Sequence, residues 1–103
     1  MDKKTDIIIR QYVLEAAKQN PALVKAYIFG SFAYNKERFE SDIDIALIID
    51  NLNDNDKFDL QVQLMLLASK FDTRIEPHPV SKQDLNLNNP FVAEIKKGIE
   101  IPI

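Results

Sequence analysis

Asp42-Ile43-Asp44 puts two carboxylates two residues apart at the head of the apolar run Ile43-Asp44-Ile45-Ala46-Leu47-Ile48-Ile49. Such a run reads as a β-strand, and alternate side chains of a strand point to one face, so both acids aim at one region. Like charges so placed repel each other unless a hard cation lies between them. Mg²⁺ takes oxygen ligands of this kind together with substrate phosphates. Gly30-Ser31, with ten residues between it and the first acid, closes another short apolar run. Gly30 has no side chain to keep a polyphosphate from the backbone, and Ser31 would begin a helix whose free N–H groups favour an anion. A turn followed by a strand with solvent-facing acids would account for each residue singly, but not for their order and spacing together.

Residues 28–49 resemble the signature of the polymerase-beta-like nucleotidyltransferases, in particular their minimal MNT type. The resemblance implies that Gly30 and Ser31 hold the phosphates of a nucleoside triphosphate while Asp42 and Asp44 hold two Mg²⁺ ions. Ser41 is counted among the nucleotide contacts. The same resemblance implies a third carboxylate from a strand after the Asp-x-Asp hairpin. Glu76 is the only acid within residues 74–80, so it is assigned to complete the metal site and to help deprotonate the attacking hydroxyl. Asp72, at a helix end, is the fallback. Family members commonly carry a basic residue and then glycine where this chain has Tyr34 and Asn35. Asn accepts the left-handed turn better than most residues, but Tyr34 supplies no cation. Lys36, Arg38 or a more distant group must then meet the triphosphate. His78, the single histidine, shares a strand face with Glu76; a lone histidine is more often structural, and it is left out of the site.

The elements that must position these groups follow from periodicity. Residues 4–19 read as an amphipathic helix with Ile8, Ile9, Tyr12, Val13, Ala16 and Ala17 near one face, stopped before Pro21. Residues 24–29 form a first strand and 31–34 a short helix. Residues 43–49 form a central strand, apolar on both faces apart from Asp44, as in a covered sheet. The acidic loop 50–56 reads as caps for the next helix rather than a calcium loop. In the helix 57–71, Phe58, Val62, Met65 and Ser69 make one stripe and Leu60, Leu64, Leu67 and Phe71 another; read as adjacent, the two predict a broad buried face. Residues 74–80 carry Pro77 and Pro79 and so predict an edge strand. Ser81 offers a cap, residues 90–97 form a helix with Pro90 in its first turn and Gly98 as its stop, and the alternating tail 99–103 could pair with an edge or meet a partner. The expected fold is α/β: a small mixed β-sheet with helices mainly on one face and the site on the other, the minimal nucleotidyltransferase fold, in one domain over residues 1–103.

Composition narrows the function. Thirteen basic and 16 acidic residues give a net charge of −3, which argues against a broad nucleic-acid surface. There is no cysteine, hence no disulfide framework, thiolate metal site or cysteine nucleophile. No apolar run is long enough to span a bilayer and no signal-peptide pattern opens the chain, so a cytoplasmic protein is expected. The chemistry expected is metal-dependent transfer of NMP, AMP from ATP, to an acceptor hydroxyl. Larger relatives carry acceptor domains for which 103 residues leave no space. Stand-alone MNT domains resemble antitoxins paired with a separately encoded HEPN ribonuclease, which implies a hydroxyl of such a partner as acceptor. Two alternatives stay open: a catalytically weak module that neutralises its partner by contact, and a transferase acting on an antibiotic or metabolite. A homo-oligomer also stays open.

Overall fold

A computed structural model describes residues 2–34 and 41–103. Helix α1 (Lys3–Gln19) starts where the Asp2 carboxylate accepts hydrogen bonds from the Thr5 backbone N–H (2.8 Å) and hydroxyl (3.0 Å), satisfying a donor the first turn leaves open. It ends at Asn20, ahead of Pro21. Strand β1 (Leu23–Phe29) runs into a 3-10 turn (Gly30–Tyr34), and β2 (Ile43–Ile49) returns antiparallel to it. Helix α2 (Asp54–Ala68) then carries the chain over to β3 (Ile75–Ser81), which lies parallel to β2; a parallel partner requires such a crossover. A second 3-10 turn (Lys82–Asn86), α3 (Pro90–Lys96) and β4 (Ile99–Ile101) complete the described chain.

The sheet order is β3-β2-β1-β4, mixed as expected. The proline-bearing strand lies at one edge, where missing backbone donors are tolerated. At the other edge, the tail pairs antiparallel with β1 through Ile99, Glu100 and Ile101.

Alternation on β2 builds two layers. Ile43, Ile45, Leu47 and Ile49 face α1 and α2 and pack with Ile9, Tyr12, Val13, Ala16, Leu64, Leu67 and Ala68. Each such side chain contributes roughly 1.5–3 kcal/mol when fully buried, so these four anchor β2 whatever stands on its other face. That other face holds Asp44 and a smaller cluster of Phe29, Ala46, Ile48, Val80 and Ile95. Helix α3 packs there, its end pressed so close to β1 that a Cβ on Gly98 would run into the Ile28 carbonyl oxygen.

One expectation fails. Helix α2 spans Asp54–Ala68 rather than 57–71, and only one of its stripes enters the core. Leu64 and Leu67 are buried, with Leu60 and Phe71 packed against them, and the Tyr12 hydroxyl donates to the Leu64 carbonyl at 3.0 Å. Phe58 is 74% exposed, Met65 51% and Val62 41%, and Leu66 beside them 64%. At about 100° per residue the two stripes are centred roughly 160° apart, so they are nearly opposite and one underlying layer can bury only one of them.

Candidate active site

The parallel register of β2 and β3 sets Asp44 opposite Glu76 and Ala46 opposite His78, and the antiparallel register with β1 sets Asp44 opposite Phe29. Asp44, Glu76 and His78 therefore share the sheet face away from α1 and α2. They offer ligand atoms all within 4.8 Å of one another. Asp42, two residues before Asp44 and exposed, reaches the Glu76 carboxyl through a hydrogen bond.

Gly30 explains why this end of β1 carries no side chain. Its φ is +76°, a conformation L side chains rarely adopt, and a Cβ there would stand 2.7 Å from Asp44 Oδ2. The cradle and the acid thus abut, although Gly30 and Asp44 stand fourteen positions apart in sequence. Ser31, half-buried, follows in the 3-10 turn, and Ser41, half-buried, stands just before Asp42. Lys36 and Arg38, with Asn35, lie outside the described residues.

The acids crowd one another. Loss of solvent, a hydrogen bond with Asp42 and the negative charges of Asp44 and Asp42 push the Glu76 carboxyl above the usual range, with His78 opposing. Two carboxyls that close cannot both ionise cheaply, and a cation among them relieves the cost. The donor set suits a divalent ion: carboxylate oxygens from Asp44 and Glu76 with an imidazole nitrogen at hand, while Asp42, expected as a ligand, is not among the residues whose ligand atoms lie within 4.8 Å of one another. Asp72, the fallback, is otherwise engaged. Its Oδ2 accepts from Arg74 Nη2 at 2.8 Å and its Oδ1 from the Arg74 Nε and backbone N–H, and this hydrogen bonding holds its carboxyl below the usual range.

His78 was not expected here. Its Nε2 lies 3.1 Å from Asp44 Oδ1, with both side chains a little over a quarter exposed. The ring is packed edge-on against Phe29 (centroids 5.1 Å apart) and lies 6.2 Å from Phe91 of α3. Ala46 stands between Tyr27 and His78 in the register, and its small side chain leaves room for the Phe29 and His78 rings to meet above β2. The available signal was the period of two: His78 stands to Glu76 as Asp44 stands to Asp42. Tyr34, where a basic residue was missed, is an exposed side chain. Local loss of solvent and the nearby Glu94 carboxylate of α3 push its phenol up.

Among the described residues no helix is long and apolar enough to cross a membrane. No match emerged among curated protein sequences. The chain superposes on a candidate nucleotidyltransferase from Sulfolobus solfataricus with a TM-score of 0.66 at 22% identity, covering 92% of this chain and 77% of the other. A mutant of the toxin–antitoxin pair MntA–HpeT gives a TM-score of 0.60 at 21% identity, over 90% of this chain and 72% of that one. A toxin–antitoxin structure with AMP-PNP gives 0.59 at 23%, with the same coverage. These likenesses establish the fold. The profile of the polymerase beta nucleotidyltransferase family matches residues 11–101, nearly the whole chain, and the protein belongs to that family.

Proposed function

We propose that this chain transfers NMP, and specifically AMP from ATP, to a hydroxyl on a separately encoded partner protein, as an antitoxin-like enzyme of the cytoplasm. The observation that carries the reading is the abutment of Gly30 on the Asp44 carboxylate with Glu76 opposite: a triphosphate approaching the bare backbone is delivered to the acids. Gly30 and Ser31 would bind the β and γ phosphates, with Lys36, Arg38 and Ser41 as further nucleotide contacts. Asp42, Asp44 and Glu76 would hold the metal, which when bound neutralises charge on the phosphates and lowers the pKa of the attacking hydroxyl. The acceptor oxygen forms a bond to the α-phosphorus, the bond from that phosphorus to the bridging oxygen breaks, and pyrophosphate leaves. The acceptor proton goes to Glu76, whose raised affinity for a proton suits a general base.

A partner protein is favoured over a small acceptor by two features. The fold neighbours include toxin–antitoxin complexes, one of them holding AMP-PNP. The outer stripe of α2, with Phe58, Met65 and Leu66 more than half exposed, is the kind of apolar surface that a protein partner covers. A HEPN-type ribonuclease is the partner we expect, with a tyrosine as acceptor. Incubation with ATP, Mg²⁺ and the protein encoded by the adjacent gene should add one or more AMP units to that protein, read by mass spectrometry. The tyrosine at position 34, where relatives commonly have a cation, supports a second reading in which neutralisation is by contact alone. Tight complex formation without a mass shift, retained in the Asp42→Asn, Asp44→Asn double variant, would establish it. Transfer to a small hydroxyl compound but not to the partner would establish a small-molecule transferase.

A further inference from the structure

We propose that His78 is a metal ligand, and that a mixed set of Asp44, Glu76 and His78 makes the site prefer Mn²⁺ to Mg²⁺. This rests on the nucleotidyltransferase reading of the site but goes beyond it, to the identity of its ion. Three observations carry it. First, geometry: two neighbouring ligands of an octahedral ion with bonds of about 2.1 Å stand about 3.0 Å apart, and His78 Nε2 and Asp44 Oδ1 are 3.1 Å apart. Glu76 offers an oxygen within 4.8 Å of both. Second, the imidazole is held in place. Phe29 packs against the ring edge-on, and Phe91 lies against both of them, 5.8 Å from Phe29 and 6.2 Å from His78, so little ordering remains to oppose binding. Third, chemistry: a carboxylate set serves Mg²⁺ and Mn²⁺ alike, but an imidazole nitrogen favours first-row transition ions, and Mg²⁺ keeps to oxygen and water.

The test uses the full-length protein with Mn²⁺ as probe, alone and with a non-hydrolysable ATP analogue. Free Mn²⁺ is followed by electron paramagnetic resonance, and Mg²⁺ is added in competition. Electron spin echo spectra of the bound ion should carry nitrogen modulation. The His78→Ala variant, checked for folding by circular dichroism, should lose that modulation. It should also bind Mn²⁺ roughly tenfold or more weakly while its Mg²⁺ affinity changes little, and Phe91→Ala should weaken Mn²⁺ binding by less. Mn²⁺ bound by the natural protein without nitrogen modulation, or an unchanged ratio of the two affinities in His78→Ala, would overturn the assignment and leave the acid site standing. Absence of Mn²⁺ binding even with the nucleotide would overturn both this inference and the metal reading of the site. Should His78→Ala fail to fold, His78→Gln, which keeps polarity and much of the volume, is read by the same modulation.

Discussion

Asp72 and Glu76 stand four residues apart, on either side of the start of β3, and they have opposite fates. Asp72 is answered by the protein itself. It receives three hydrogen bonds from Arg74, and that guanidinium also lies over the Phe32 ring, 5.6 Å from its centroid. Glu76 is surrounded by its own kind, with Asp42 hydrogen-bonded to it and Asp44 facing it across the sheet. Folding therefore makes the Asp72 carboxylate easier to ionise and the Glu76 carboxylate harder. A charge that the fold completes is structural. One that it crowds with like charges, and that a single histidine offsets in part, suits a bound cation. The contrast supports our proposal of Glu76 over Asp72 as the third acid.

Four experiments would sharpen or break that contrast. The largest effect belongs to Asp42→Asn with Asp44→Asn: AMP transfer should fall below detection while urea unfolding shows stability unchanged or raised, because like-charge repulsion is removed. A destabilised double variant would mean that these acids are structural, as Asp72 is. Next, Glu76→Gln should slow transfer by about 10²–10⁴-fold, the range for losing a general base, with no loss of stability at neutral pH. Wild-type rates in this variant would return the role to Asp72.

Gly30→Ala comes third. The left-handed backbone costs a side chain about 1–2 kcal/mol, and the added Cβ displaces the Asp44 carboxylate. Both stability and nucleotide affinity should fall, by denaturation and calorimetry respectively. The smallest change is Asp72→Asn, expected to cost about 1 kcal/mol or less for a partly exposed pair and to leave transfer intact. Its pH dependence has a definite sign. A depressed carboxyl contributes stability that is full above its unfolded value, near 3.8, and is lost as pH falls through the lower folded value. Thermal unfolding should therefore show the natural protein losing an advantage over Asp72→Asn only below about pH 4. An equal gap at pH 3 and pH 7 would show that the ion pair is not its source.

Much of the architecture was legible because it rests on local rules. The strand at 43–49 emerged with the expected limits, and the proline-bearing run took an edge. Both glycines, expected at the cradle and as a helix stop, occupy positions where a Cβ would collide. The outer stripe of α2 departs from the expected broad buried face because apolar residues at helical spacing form one face only when they lie close in rotation, and the two stripes are nearly opposite around the helix. The place of His78 is not legible in the sequence, because its neighbours in space, Phe29, Ala46 and Phe91, come from β1, β2 and α3, and no spacing along the chain announces such a meeting.

By itself the sequence determined which groups could do chemistry, and that Asp44 would stand among the alternate residues of β2 that face away from Ile43, Ile45 and Leu47, because the pleat of a strand is a property of the backbone. It also determined that Gly30 would end a strand ready for a close approach, because only glycine lacks the Cβ that would prevent one. Only the tertiary structure decided that Glu76 rather than Asp72 completes the acidic group. Register between parallel strands is set by the packing of α2 and the core side chains, and a one-residue slip would have turned Glu76 and His78 to the helix side. The same long-range packing decided that the imidazole meets Asp44, since its approach depends on a small residue at 46 and rings at 29 and 91 that come together only in the folded chain.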